Sequence, residues 1–92
     1  MTTAERTIPA RARILEILLE VTGDDAVLSD PDVQLFESGL LDSLGVVTLL
    51  VSFEEAFGVS ISPSELDREA WATPGRLVAD VEGRLATAEA PR

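Results

Sequence analysis

The sequence predicts an all-α fold, a four-helix bundle built from three longer helices plus a short third helix. Ala, Leu and Val dominate the apolar residues, which make up 46 % of the chain, and only 4 % of the residues are aromatic. This composition favours helices that pack on helices. Apolar residues recur at spacings of three and four, and Gly or Pro punctuates these runs. A chain of 92 residues has room for one domain, so we expect a single domain over 1–92 with frayed ends at about 1–8 and 88–92.

The first predicted helix runs from about Pro9 to Thr22 and ends at Gly23, a residue typical of helix ends. Its apolar residues follow the spacing of one buried face. The residues expected to point inward are Ile14, Leu15, Leu18 and Val21.

A long connection follows, from Gly23 to Asp42. Structureless loops of this length are uncommon in compact domains, and apolar residues recur along it, so we expect it to be ordered and held against the helices. One short turn of helix is expected near 33–36. The acidic residues of this segment resemble a calcium loop only superficially, because Leu35 stands where such a loop needs glycine. The sequence therefore predicts no metal site.

The second predicted helix begins at Ser43, reaches about Phe57 and ends at Gly58. One set of its apolar residues has the spacing of a buried stripe. This inward set is Val46, Leu49, Leu50, Phe53 and Phe57. The opposite flank holds Leu44, Val47, Thr48 and Val51. An apolar flank without internal partners is a candidate docking surface.

Two helix starts follow in succession. The run Ser-Pro-Ser-Glu at 62–65 matches a capping box with Pro at the first helical position, which predicts a short third helix from Pro63 to Trp71. Thr73 and Pro74 repeat the signal and predict a fourth helix to about Ala88. Burial is the usual role of an aromatic side chain, so Trp71 is expected to fill space between these two helices. The inward residues of the last helix are expected to be Leu77, Val78, Val81 and Leu85.

The residue types that the chain lacks limit the functions it can have. The chain has no Cys, His, Tyr or Lys, which removes the usual nucleophile and base pairs, zinc sites, disulfides and Schiff-base chemistry. We therefore expect a protein that is not an enzyme. The net charge of −10 argues against nucleic acid or an anionic membrane as partner and favours basic protein surfaces. The sequence shows neither a signal-peptide pattern nor a membrane span, which predicts a cytoplasmic protein.

The Asp42-Ser43 pair stands directly in front of the apolar second helix. Asp42 is a good helix cap, and a serine at such a position is ordinarily a cap or an exposed hydroxyl. A hydroxyl at an exposed helix N-terminus also lies where unpaired N–H groups and the helix dipole favour an attached phosphate. Ser43 is thus a candidate attachment point.

The stretch LFESGLLDSLGVVTLLVSFEEAFGVSIS, residues 35–62, resembles the acyl and peptidyl carrier proteins. The likeness rests on an apolar-Phe lead-in, Gly39, the Asp-Ser-Leu motif and an acid-acid-x-Phe-Gly close. The resemblance implies an acyl-carrier-protein-like four-helix bundle with 4′-phosphopantetheine attached covalently to Ser43. It also implies a role for Asp42 in coordinating the metal ion while a transferase moves the arm from coenzyme A. Partner enzymes would then touch the flank beside the arm, at Leu44, Val47 and Thr48.

Within that family, LDSLGVVTLL and SPSELDREAWATPGRL look like the D-alanyl carrier subgroup, and the match covers about residues 35–81. It implies a discrete, monomeric carrier that holds an aminoacyl group as a thioester, either D-alanyl or an amino acid or β-amino acid of a natural-product pathway. The implied partners are a phosphopantetheinyl transferase, an adenylating enzyme and a downstream acyltransferase or ligase.

Several alternatives stay open from the sequence. A polyketide or fatty-acid-type acyl carrier is one, although Thr48 stands where fatty-acid carriers commonly have an acid. An acidic helical adaptor or inhibitor that binds a basic partner, with Asp42 and Ser43 as cap only, is another. A small metal-dependent enzyme is disfavoured because no nitrogen or sulfur ligand is present. Glu54 and Glu55 fit a solvated helix end as well as a partner-recognition patch.

Overall fold

A computed structural model of the chain describes residues 10–89, and all regular structure within that range is helical. The α-helices are α1 (Ala10–Thr22), α2 (Ala26–Ser29), α3 (Ser43–Phe57) and α4 (Pro74–Glu89), and two 3-10 turns, Pro63–Glu65 and Arg68–Trp71, lie between α3 and α4. Helix α1 packs against both α3 and α4. The predicted helical bundle is confirmed, with α3 and α4 as the second and fourth predicted helices. The predicted helix start at Pro9 and the frayed ends at 1–8 and 90–92 lie outside the described residues, whereas 88 and 89 still belong to α4.

Helix α1 buries a face that is rotated from the predicted one. Ile14, Ile17 and Leu18 are fully or almost fully buried, whereas Leu15 and Val21 are only partly buried. Ile17 takes the place that the prediction gave to Leu15, since residues 14, 17 and 18 lie within about 100° of one another around the helix. This buried face of α1 serves its contacts with both α3 and α4.

The long connection is ordered, as expected, and backbone hydrogen bonds tie it to the chain around the start of α4. The N–H of Leu35 donates to the carbonyl of Ala72, before α4, at 2.8 Å, and the N–H of Gly75, in the first turn of α4, donates to the carbonyl of Pro31 at 3.0 Å. Three apolar side chains of this segment join the core. These are Val27, Leu35 and Leu41.

Near 33–36, where one short turn of helix is expected, the structure has a turn that is not part of a regular helix. The N–H of Ser38 donates to the carbonyl of Gln34 at 3.0 Å, the hydrogen-bond spacing of one α-helical turn. A regular short helix, α2, lies seven residues earlier in the chain, where the carboxylate of Asp24 accepts from the N–H of Ala26 at 2.9 Å and starts the turn. The turn near 33–36 spans residues 35–39 and does not continue as a helix. It is closed by a hydrogen bond from the N–H of Leu41 to the carbonyl of Leu35, and Gly39 has a φ of 84° that reverses the chain there.

The predicted third helix is wrong, because two separate 3-10 turns replace it. Leu66 and Asp67 between them have extended backbones, with ψ of 129° and 118°. The side chain of Asp67 accepts from the N–H of Glu69 at 3.0 Å, so Asp67 caps the start of a new turn. In one continuous helix the same residue would lie in the helix interior. The capping box fails as well, since Ser62 makes no capping hydrogen bond and its hydroxyl lies 3.0 Å from that of Ser64.

The start of α4 follows the prediction. The Thr73 hydroxyl accepts from the N–H of Arg76 at 3.2 Å, which confirms it as the cap before Pro74. The inward residues are also as expected. Leu77, Val78 and Val81 are buried and Leu85 is partly buried.

Trp71 is fully buried, which confirms its predicted role as a core residue. Its ring meets Phe53 of α3 edge to face, with 5.8 Å between the ring centres. Its indole N–H donates to a carboxylate oxygen of Asp80 on α4 at 2.9 Å, and Arg84 donates to the same oxygen. The indole thus fixes the 3-10 turn to α3 and α4 at once.

Candidate functional site

The N-terminus of α3 is capped by Asp42. This residue has an extended backbone, and its carboxylate accepts from the N–H of Gly45 at 2.8 Å while its carbonyl accepts from the N–H of Val46 at 2.9 Å. Ser43 is therefore the first residue of the helix, and its side chain is exposed. Among residues 10–89, no group forms a hydrogen bond with its hydroxyl. The structure thus presents an exposed, unused hydroxyl at a helix N-terminus.

The chain before Ser43 explains why this hydroxyl faces outward. Leu41, two residues earlier, is buried and anchors the connection to the core. A Cβ added to Gly45 would lie 2.9 Å from Leu41 Cδ1 and 3.4 Å from Asp42 Oδ1. The glycine therefore makes room for both the buried anchor and the capping carboxylate. With Leu41 turned inward, the next two side chains are left at the surface.

One face of helix α3 is buried in the core, and its other flank is apolar and exposed. Leu44 is 73 % exposed, and Val47 and Val51 are each 50 % exposed. Thr48 is exposed too, and its hydroxyl donates to the carbonyl of Leu44 at 2.9 Å. On the buried side, Leu49, Leu50 and Phe53 are core residues, and Val46 and Phe57 are partly buried. The structure therefore places Leu44, Val47 and Thr48 beside Ser43, and their role in docking stays a prediction.

A groove of about 240 Å³ opens beside Ser43, between the start of α3 and the chain around the first 3-10 turn. With Ser43, its lining residues are Phe36, Val46, Val47, Pro63, Leu66 and Arg68. The sequence prediction missed four of them, because Phe36, Pro63, Leu66 and Arg68 come from other segments and helix periodicity relates only neighbours within one helix. The guanidinium carbon of Arg68 lies 4.3 Å from the centre of the Phe36 ring.

The acidic pair at the other end of α3 lies far from this groove. Glu54 and Glu55 are both exposed. With a rise of about 1.5 Å per residue, they lie roughly 17 Å along the helix axis from Ser43. A partner enzyme that reaches Ser43 first meets Leu44 and Val47, so these acids belong at most to the rim of such a contact.

The N-terminus of α3 fits a phosphodiester. The hydroxyl is exposed and free to be modified, and the helix dipole and first-turn N–H groups of a 15-residue helix favour negative charge there. The flank next to it is apolar and accessible. These features together describe a site where a group is attached and then presented to other proteins.

Comparison with known proteins agrees with that description. The family model described as "Phosphopantetheine attachment site" matches residues 12–81, and the chain belongs to this family. The protein is thus a carrier whose cofactor is 4′-phosphopantetheine, and it is not itself an enzyme. The alternatives of an acidic adaptor and of a small metal-dependent enzyme are overturned by this membership.

Similar proteins include three D-alanyl carrier proteins. That of Enterococcus faecalis is 48 % identical over 69 residues, which are 75 % of this chain and 88 % of that protein. That of Bacillus velezensis is 46 % identical over 68 residues, or 74 % of this chain and 87 % of that protein. That of Bacillus cereus is 46 % identical over 72 residues, which are 78 % of this chain and 91 % of that protein. The resemblance to the D-alanyl carrier subgroup is confirmed.

Within residues 10–89, no helix has both the length and the apolar character needed to cross a membrane.

The two roles of Asp42 can be separated by substitution. Asp42→Ala removes the bond to Gly45 and should lower the free energy of unfolding by about 0.5–2 kcal/mol, whereas Asp42→Asn should retain the cap and most of the stability. If the carboxylate also helps bind the metal ion during arm transfer, both variants lose modification rate. Urea unfolding and the rate of mass gain measure the two effects, and wild-type rates in Asp42→Asn would restrict Asp42 to capping.

Proposed function

We propose that Ser43 is the residue that carries the 4′-phosphopantetheine arm. The observation that supports this most directly is the exposed, unpartnered hydroxyl at the first position of the Asp42-capped helix α3. Asp42 holds the helix start in place, and Leu41 anchors the chain below it. The attached arm supplies a terminal thiol on which an acyl group is held as a thioester, in a chain that has no cysteine.

The proposed cargo is an aminoacyl group. The relatives that carry the name D-alanyl carrier protein favour D-alanine, and an amino acid or β-amino acid of a natural-product pathway is the second candidate. A separate adenylating enzyme would load it, and a downstream acyltransferase or ligase would remove it. The polyketide or fatty-acid alternative is less well supported, because Thr48 directs its hydroxyl to its own helix and offers no acid on the flank.

The proposed docking surface is the flank formed by Leu44, Val47 and Thr48. These three residues are exposed and lie within about one and a half turns of Ser43 on α3, so an enzyme that reaches the arm must contact them. The net charge of −10 would accelerate encounter with a basic partner, while the short-range apolar contact would set the lifetime of the complex.

We also propose that the chain works as one carrier domain, as a monomer and in the cytoplasm. The shared core of α1, α3 and α4 supports a single domain. The cytoplasm is where coenzyme A and ATP, the substrates of arm transfer and of adenylation, are available. Light scattering of the purified protein checks the monomer.

Mass spectrometry tests the attachment. The purified chain is incubated with coenzyme A, magnesium and a broad-specificity phosphopantetheinyl transferase, and its intact mass is measured. We expect one arm per chain, located by peptide mapping on the fragment that contains Ser43. The holo protein is then offered D-alanine, L-alanine and β-alanine with the adenylating enzymes encoded nearby, and the loaded thioester identifies the cargo. No mass gain, or an arm mapped to another residue, would refute the assignment.

The docking surface can be tested with a matched pair of variants. Val47→Asp places a desolvated charge on the proposed contact and should slow loading by about tenfold or more, since an unpaired charge at an interface core costs over 1 kcal/mol. Val51→Asp makes the same change at a residue of equal exposure, one turn further from Ser43, and should have a smaller effect. Circular dichroism checks that both fold. Equal loading rates for Val47→Asp and wild type would remove α3 as the docking face.

A further inference from the structure

Arg68 differs from the other described arginines in what it contacts. Arg11, Arg13, Arg76 and Arg84 each form an ion pair with a carboxylate, at nitrogen to oxygen distances of 2.8–3.8 Å. Arg68 forms no ion pair with any side chain that the structure describes, and its guanidinium lies over the Phe36 ring. In a chain of net charge −10, no described carboxylate takes up its charge, and its N–H donors can serve a ligand.

The position of Arg68 indicates which ligand that is. Arg68 and Ser43 line the same groove of about 240 Å³. The other lining residues are apolar, and the ring of Phe36, 4.3 Å from the guanidinium carbon, restrains the cation at the edge of this groove. The groove beside the Ser43 hydroxyl therefore contains one cation and one apolar wall.

We propose that Arg68 is a positioning residue for the arm. Its guanidinium donates hydrogen bonds to the phosphodiester on Ser43, and the apolar groove receives the neighbouring pantoyl methyl groups. This inference rests on the proposed attachment at Ser43. The chemistry matches, because guanidinium groups bind phosphate oxygens through paired, charge-assisted hydrogen bonds. The cation also offsets the repulsion between the phosphodiester and the carboxylate of Asp42, which caps the same helix start.

Such a contact would hold the base of the arm on one side of α3. Val47 belongs both to this groove and to the exposed flank of the helix. An arm that lies in the groove therefore leaves Ser43 next to the surface that a partner enzyme is proposed to contact. Arg68 would limit the directions in which the thiol can be presented.

The test uses the holo protein and NMR spectroscopy. In the wild type, attachment of the arm should shift the Arg68 Nε–H signal and the backbone amide of Leu66. The ³¹P signal should differ from that of the same phosphodiester in urea-unfolded holo protein and move towards it as salt screens the ion pair. In Arg68→Gln, we expect loss of the Leu66 shift and of the salt-dependent ³¹P movement. The apo spectrum should remain folded, because residue 68 is exposed.

Arg76→Gln is the matched control. It removes the same charge from another exposed arginine, one that does not line the groove. This variant should retain the arm-induced shift of the Leu66 amide and the salt-dependent ³¹P movement. If the arm induces the same shifts in Arg68→Gln as in wild type, the inference about Arg68 is wrong, whereas the proposed attachment at Ser43 is unaffected. If Arg68→Gln slows loading but leaves those shifts unchanged, Arg68 contacts a partner protein instead, and the inference is again wrong. A wild-type chain that gains no arm mass overturns the attachment at Ser43 and this inference with it.

Discussion

Replacing Ser43 by alanine is expected to abolish phosphopantetheine attachment and, with it, all loading of an acyl group. The arm is joined through the serine oxygen, and no other serine in the chain has the Gly-x-x-Asp-Ser-Leu context at a helix start. The substitution should leave the fold intact. Ser43 follows the cap and its exposed hydroxyl binds no described group, so the free energy of unfolding should change by no more than about 0.5 kcal/mol.

The matched control for this loss is Ser60→Ala. Ser60 is exposed, like Ser43, but lies between α3 and the first 3-10 turn and not at a helix start. This variant should gain the arm at the wild-type rate, as measured by intact mass over a time course with transferase and coenzyme A. A Ser43→Ala protein that still gains the arm would show that attachment occurs elsewhere. A Ser43→Ala protein that unfolds would show that the hydroxyl has a structural role.

The features that the sequence predicted well depend on local chemistry. The bounds of α3 follow from Asp42 as N-cap and from Gly58, which ends the helix with a φ of 73°, and both signals act within one turn of the residues they control. The exposed flank follows from the helix period alone. Because Ser43 is fixed by the same cap, its exposure could be predicted before any tertiary contact was known.

The features that the sequence did not predict depend on contacts between distant segments. The two 3-10 turns form where Trp71 must reach Phe53 and Asp80 together, and the local capping signal at Ser62 does not report that constraint. Tertiary packing overrides local preference at such places. The groove beside Ser43 is assembled in the same way, since its lining includes both Ser43 and Arg68, which lies 25 positions later in the chain.

The second large effect is expected at Phe53, in the centre of the core. Its side chain is fully buried and meets Trp71 and Phe57, with ring centres at 5.8 and 6.2 Å. Truncation in Phe53→Ala leaves a cavity and should lower the free energy of unfolding by about 3–5 kcal/mol. The total free energy of unfolding of a domain of this size is roughly 5–14 kcal/mol, so the variant should be close to unfolding at 37 °C or unfolded.

Urea unfolding followed by fluorescence measures this loss directly, because Trp71 is the only tryptophan in a chain without tyrosine and it packs against the deleted ring. Val51→Ala is the control, since it truncates an exposed apolar side chain of the same helix and should change stability by about 0.5 kcal/mol or less. If the two variants unfold at the same urea concentration, α3 is rotated in solution relative to this structure. That rotation would move Val47 off the exposed flank, so the result at Phe53 also bears on the proposed docking face.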